Sequence, residues 1–274
     1  MIPYLELTSI QVGPLKVYIW GLAVAAGLLS AVFVGRRIAR RRGLDPDILS
    51  DLAIYVIVSA LVFGRMFYVL AYGLAETLED PLQAIRFWEG GMSSFGGYLG
   101  AAIGVWLFAK RRKTPLRRYA EIGAFVFPLG YGIGRIGCFL IHDHPGVLTS
   151  FPLAVDFSGG ARLDHGLLLS LLGFAIFGAF LILRRHGWEI GGDRWRYLPL
   201  LMLSYGGVRF ILDFLRAWDL PHSDARYLYL TPAQYGAMVL IAGGVWLLLK
   251  AGRAGKAGKE NLPPLVRRMP DGPR

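Results

Sequence analysis

VYIWGLAVAAGLLSAVFVGRRIARRR, residues 17–42, is 19 mostly apolar residues without a charge, followed by five arginines within seven positions. A helix needs about 20 such residues to cross the roughly 30 Å of bilayer hydrocarbon. A dense basic block directly behind one marks its cytoplasmic end. The same pattern organises the whole chain. Seven apolar stretches are expected to be spans: 17–35, 52–72, 92–109, 119–141, 164–183, 197–216 and 232–249. Composition agrees, with 54% hydrophobic residues and a mean hydropathy of +0.46, above the range of soluble domains. The expected fold is an all-α polytopic membrane protein. One transmembrane domain covers 1–250, and a basic tail, 251–274, is Gly- and Pro-rich and expected to be disordered. No internal repeat is evident.

The connections alternate in charge. RRIARRR (36–42), KRRKTPLRR (110–118), the segment 184–196 and the tail from Lys250 hold 22 of the 30 Lys/Arg. The opposite loops hold only Lys16, Arg86, Arg162 and Arg226. The basic side is therefore cytoplasmic, with the N-terminus out and the C-terminus in. The net charge of +11 then reads as topology signals and contacts with anionic lipid rather than a nucleic-acid surface. Residues 1–16 lack a positive n-region, and the run from Val17 is too long for an h-region, so no cleavable signal peptide is expected. Residues 73–91 read as a short interfacial helix with Trp88 at headgroup level.

Four arginines remain, and all lie inside spans: Arg65, Arg135, Arg209 and Arg216. An arginine at mid-bilayer costs at least about 2.5–3.5 kcal/mol on insertion scales, which makes each a candidate functional residue. By the topology above, all four sit toward the outer leaflet. In YGGVRFILDFLR (205–216), Arg209, Asp213 and Arg216 share one helical face. Snorkelling to the interface is the alternative for these arginines, and Asp213 also suits a simple neutralising role. Several guanidinium groups around one cavity suit a phosphate, which arginine binds bidentately. In a bilayer that phosphate belongs to a phospholipid. A second unusual stretch, FWEGGMSSFGGYLG (87–100), places Gly96 and Gly97 behind two serines. Its backbone N–H groups suit an anion; close helix packing is the alternative.

Taken in order, these segments resemble the prolipoprotein diacylglyceryl transferases of bacterial inner membranes. GRIGCFLIHDHPG (134–146) is similar to the signature GRxGNFxNxExxG. WEGGMSSFGG (88–97) is similar to W-[DE]-GGMSFHGG, YGGVRFILDFLR to YGxxRFxxEFxR, and GRMFYVL (64–70) to GRIGYVL. WGL (20–22) stands where the family has an aromatic–Gly–Leu opening, and Gln234 matches a glutamine early in the last span. The resemblance implies a thiol–lipid exchange. Its substrates are phosphatidylglycerol and the lipobox cysteine of a prolipoprotein signal peptide, with membrane lipids as the surroundings and no cofactor. It implies that Arg135 and Arg209 handle the headgroup and the leaving phosphate, and that Gly146 closes the signature. Asp143 replaces the family's glutamate. Arg65, Gly96, Gly97, Asp213 and Arg216 complete the expected lipid-binding set.

The departures fall on residues that act on the thiol. The family's histidine is Phe95, its signature asparagines are Cys138 and Ile141, and its span-5 motif is reduced to RLDHGLL (162–168), where His165 does not align. Trp20 stands where tyrosine is usual. A lost base costs about 10²–10⁴ in rate, so a replacement is sought at His142, Asp143 or His144, with a solvated cap as the alternative for each histidine. Cys138 reads as a small packed residue. HDH with His165 or His222 lacks the spacing of a standard metal motif, and no metal is expected. Two further readings stay open: a family member that binds anionic phospholipid or modifies another acceptor, and a seven-span transporter.

Overall fold

The computed structural model describes residues 1–71, 73–86, 91–112, 116–192, 194–220 and 226–260. Trp88, His222 and residues 261–274 lie outside that set, as does the side chain of Phe95. Most described residues of the apolar stretches are helical. The long helices are α1 (Ile19–Arg41), α2 (Pro46–Ala71), α4 (Ser94–Arg111), α5 (Leu116–Ile141), α6 (His165–Arg185), α7 (Tyr197–Leu212) and α8 (Pro232–Glu260). A short α3 (Leu74–Glu79) and a 3-10 turn (Pro81–Ile85) lie between α2 and α4, on part of the expected interfacial segment. Six of the described helices are long and apolar enough to cross a membrane. The protein is therefore an all-α polytopic membrane protein. The stretch expected as the third span is α4, a helix of only 18 residues whose last two are Lys110 and Arg111.

Two small sheets were not foreseen. β2 (Ser9–Val12) and β3 (Leu15–Tyr18) form an antiparallel hairpin around Gly13, whose φ of +59° suits its left-handed turn. A four-stranded sheet has the order β1-β5-β6-β4, from β1 (Ile2–Pro3), β4 (Pro145–Leu148), β5 (Val155–Phe157) and β6 (Gly160–Asp164). Each strand is too short to show an alternating pattern in the sequence.

The residues cluster into two compact units, Val32–Tyr119 and Met1–Ala31 with Ala120–Arg274. Within the first, α4 lies on α2 through a stripe of glycines. A Cβ on Gly96 or Gly100 would run into the carbonyl oxygens of Phe63 and Ser59, and one on Gly104 would come within 2.6 Å of that of Tyr55. Glycines four apart meet carbonyls four apart, the close contact by which membrane helices associate without a hydrophobic drive. Ser93 caps α4, its hydroxyl accepting from the Gly96 N–H at 3.3 Å. Arg65 is buried in the same unit. It donates to the backbone carbonyls of Ala84 (3.1 Å) and Gly91 (2.9 Å) and to that of Gln83. One guanidinium thus ties down the segment between α2 and α4.

In the second unit α8 opens with a capping box, legible in the sequence as TPAQ. The Thr231 N–H donates to Gln234 Oε1 at 2.9 Å, and the Gln234 N–H returns to Thr231 Oγ1 at 3.3 Å. Gln234 Nε2 also donates to the Phe210 carbonyl at 3.1 Å, which fastens α8 to α7.

Candidate active site

The second unit gathers its charges where α5 and α7 end, α6 and α8 begin, and the four-stranded sheet returns. On α5, Arg135 lies with its guanidinium carbon 5.1 Å from the Tyr131 ring centroid, a cation–π contact one turn back. Its Nη1 is 3.6 Å from Cys138 Sγ, one turn on. The Tyr131 hydroxyl meets that of Tyr205 on α7 at 3.0 Å. Arg209 follows Tyr205 by one turn of α7. A pair of tyrosines thus bridges the two helices that carry the arginines. The sequence did not single out Tyr131, because an aromatic on an apolar helix resembles ordinary packing; Tyr205 opens the family-like YGGVRFILDFLR but was given no role of its own.

Arg209 is buried and paired through Nη2 with Asp213 Oδ1 at 2.8 Å. The other Asp213 oxygen accepts from the Thr231 hydroxyl. Asp213 is fully buried, which is tolerable only for a carboxylate so paired. The helix tightens to a single 3-10 turn, Asp213–Leu215, and Arg216 follows in extended backbone. Its Nη1 is 4.0 Å from Asp213 Oδ1, and its Nη2 meets His144 Nδ1 at 3.0 Å. The shared helical face of Arg209, Asp213 and Arg216 is therefore an ion-pair group in space.

The segment after α5 carries the remaining candidates, and its two histidines diverge. His142 has φ +50° and is buried. Its Nδ1 is 2.8 Å from Asp164 Oδ2, and its ring stacks on Tyr4 at 4.6 Å and meets the edges of Phe139 and Phe157. Asp164 also caps α6, accepting from the Leu167 N–H at 3.0 Å. Burial raises the Asp164 carboxyl above its usual range, opposed by its bond to His142. His142 thus ties the N-terminal segment, the sheet and α6 together. His144 faces the other way, toward the arginines. Its side chain is 35% exposed; partial burial, then the charges of Arg216, Arg135 and Arg209, push its pKa down to about 3. It is therefore neutral near pH 7. Its Nδ1 accepts from Arg216, which leaves the ring proton on Nε2, 3.7 Å from Asp143 Oδ2.

Asp143 is, like His144, partly exposed, its side chain 30% accessible. Burial raises its pKa while Arg135 and, more weakly, a Cys138 hydrogen bond and Arg216 pull it back. Arg135, Arg209, Arg216, Asp213, Asp143 and His144 are thus brought together. Arg65, Gly96 and Gly97 belong to the other unit; Gly97, unlike Gly96, has room for a Cβ, 3.9 Å from the nearest carbonyl oxygen.

Gly146 forms the wall behind the site. It bridges to Arg216 in antiparallel fashion, and a Cβ there would lie 2.7 Å from the Leu215 carbonyl oxygen and 2.9 Å from Leu163 Cβ. Its own carbonyl accepts from Arg162 Nη1 at 3.1 Å, and the same nitrogen donates to Asp219 Oδ1 at 2.9 Å. Arg162, placed among the outer-loop cations by the sequence, therefore fastens the sheet to Asp219 in the chain after α7. Gly146→Ala is expected to separate this wall from Arg216. Melting temperature should fall by an amount corresponding to about 1–3 kcal/mol, and activity should fall with it.

His144 also predicts a pH dependence of stability. Its pKa is lower in the folded protein than the ordinary value near 6.5. As pH falls below about 6.5, the unfolded chain takes a proton that the folded one refuses, so stability is lost on acidification toward 3. The melting temperature in detergent should decline from pH 7 to 5, and His144→Gln should flatten that decline.

A sequence profile of the prolipoprotein diacylglyceryl transferase family matches residues 7–250. The phosphatidylglycerol–prolipoprotein diacylglyceryl transferase of Chromohalobacter salexigens is 33% identical over 255 residues, covering 89% of this chain and 92% of that protein. That of Pseudomonas aeruginosa is 31% identical over 259 residues, covering 92% of this chain and 95% of its own. That of Nitratidesulfovibrio vulgaris is 30% identical over 262 residues, covering 92% and 97%. With the profile spanning both units and the signature segments in order, the chain belongs to the prolipoprotein diacylglyceryl transferase family.

Proposed function

We propose that this protein transfers the diacylglyceryl group of phosphatidylglycerol to the lipobox cysteine thiol of prolipoproteins, from within the bacterial cytoplasmic membrane. One observation carries the reading: Arg135 and Arg209 lie on two helices bridged by a tyrosine pair, Arg135 against Tyr131, and Arg216 shares Asp213 with Arg209. In the reaction the cysteine sulfur attacks the glyceryl carbon that bears the phosphate. A C–S bond forms, the C–O bond breaks, and glycerol phosphate leaves with the electron pair. The departing phosphate gains charge as the bond breaks, so oriented guanidinium groups stabilise the transition state more than the ground state. The displacement as written consumes no cofactor.

The thiol proton needs an acceptor. His144 offers its lone pair to Arg216, and His142 is enclosed with Nδ1 against Asp164. Asp143 and His144 are similarly exposed, with side chains 30% and 35% accessible, but the His144 lone pair is already committed to Arg216, so we assign the role to Asp143. The domain is proposed to cover residues 1–250, with α4 as a seventh span, the N-terminus outside and residues 251–274 as a cytoplasmic tail. This orientation puts the arginines on the leaflet where exported prolipoproteins present the lipobox, and the basic connections on the cytoplasmic side. They act there as topology signals, not as a nucleic-acid surface.

A second reading, phospholipid binding without transfer, is favoured by Phe95 and Cys138 in place of the family's histidine and asparagine. Complementation separates the two. Expression in cells depleted of their own transferase should restore diacylglyceryl-modified prolipoprotein, seen as a gel shift. Folded, membrane-inserted protein that gives no modification overturns the transferase reading.

A further inference from the structure

The turn at residues 226–231 is built against its own sequence. Tyr227 and Leu230 close a two-residue hairpin, the Tyr227 N–H donating to the Leu230 carbonyl at 2.8 Å and the Leu230 N–H to the Tyr227 carbonyl at 3.0 Å. A tight hairpin with positive φ at both central residues is the geometry that Asn-Gly satisfies. Here the two positions are Leu228 and Tyr229, with φ of +48° and +66°, where a Cβ crowds the backbone. Their side chains have no cover: Leu228 is 87% exposed and Tyr229 90%. The chain accepts strain to hold a leucine and a tyrosine outward, which points to a use for them.

We propose that this turn is a membrane anchor, with Leu228 and Tyr229 inserted among the phospholipids of the leaflet nearest the arginine site. Connectivity argues for lipid as the occupant. The hairpin closes at Leu230, two residues before the membrane-spanning segment that starts at Pro232. Tyr235, in the first turn of α8, donates its hydroxyl to the Tyr227 carbonyl at 2.7 Å, so the stem is braced on that spanning helix. The helices on either side present Phe214 and Val239 outward, and in a spanning helix such residues face lipid. Trp218 and Tyr227 are exposed in the same connection, and Arg226 supplies a cation at its edge. Aromatic residues beside a basic one are the usual composition of an interfacial anchor. Arg226 also donates to the Arg216 carbonyl at 3.4 Å. The anchor is thereby joined to the site and holds its arginines at the depth of lipid phosphates.

The test uses the full-length Leu228→Cys variant, labelled at the introduced thiol with an environment-sensitive fluorophore. The unsubstituted protein, treated identically, measures any contribution of the buried Cys138. In vesicles of phosphatidylcholine and phosphatidylglycerol the emission should shift to the blue. Lipids with a nitroxide near the headgroup should quench it more than lipids with one near the chain ends. A probe quenched by aqueous iodide and not by either lipid overturns the proposal. So does a probe that leaves water only when a lipobox peptide is added, since the turn would then serve a protein partner. The double variant Leu228→Asn/Tyr229→Gly supplies the residues that the turn geometry prefers. It should unfold in detergent at the same or a higher temperature than the parent, and a lower temperature would mean that the two side chains serve the fold itself.

Discussion

Arg135→Ala is expected to lower the rate of transfer about 10²–10³-fold, the usual cost of removing one oriented donor to developing charge, with the melting temperature nearly unchanged. Arg135 lies on the Tyr131 ring beside Cys138, half-buried. Its removal takes away a cation without leaving a fully buried carboxylate beside it. Arg209→Ala differs. It also removes the partner of Asp213, which is fully buried, and breaking a buried pair from one side costs about 3–5 kcal/mol. Activity and stability should fall together. Arg209→Ala/Asp213→Asn should recover most of the stability and none of the activity, because the neutral amide needs no counter-charge while the phosphate still does. Thermal unfolding in detergent and a gel-shift transfer assay read the two effects separately. If both single variants keep their activity, the headgroup assignment is wrong.

Asp143→Asn is expected to reduce kcat about 10²–10⁴-fold, the range for loss of a general base. The position of the carboxyl decides the sign of the pH effect. A base must be unprotonated, so the rate falls as pH falls through the Asp143 pKa. Burial raises that pKa above the ordinary aspartate range. The acid limb of kcat/KM should therefore lie above about 3.9 and vanish in the amide variant. His142→Gln is the contrasting change. It breaks the contact to Asp164 and the stacking on Tyr4, so the melting temperature should drop while the folded fraction keeps its kcat. A His142→Gln enzyme that is stable but loses its acid limb would move the base from Asp143 to His142.

Residue by residue, legibility followed how locally a feature is encoded. The spanning helices are written as runs of apolar residues closed by basic blocks, and α1 through Arg41 reads directly from residues 17–42. The box at Thr231 and Gln234 is four residues long and equally readable. Arg135 and Arg209 stood out because an arginine inside an apolar run carries a cost that a binding role would justify. The meaning of HDH was not readable. His142 and His144 are two residues apart and chemically identical. One turns under Tyr4 to Asp164, and the other turns to Arg216. The positive φ at His142 sends them different ways.

The glycines divide similarly. Gly96 was weighed as an anion contact or a packing residue. Its place in the stripe with Gly100 and Gly104 is periodic in the sequence, but the carbonyls it faces belong to α2. Gly146 is set by Leu215 and Leu163, both far along the chain.

Apolar content and charge asymmetry determined by themselves that this is a helical membrane protein with cations buried along its spans. The free energy of placing each residue in hydrocarbon or water is a property of that residue, and a sequence sums it. Tertiary structure alone decided which groups on different elements meet. The Arg209–Asp213 pair was already offered by one helical face, whereas the fold bridges the helices of Arg135 and Arg209 with a tyrosine pair, brings Thr231 of the α8 cap to Asp213, and gives the lone pair of His144 to Arg216. Those outcomes depend on distances of a few ångströms between different helices, over which charge interactions change steeply, and no local pattern encodes them.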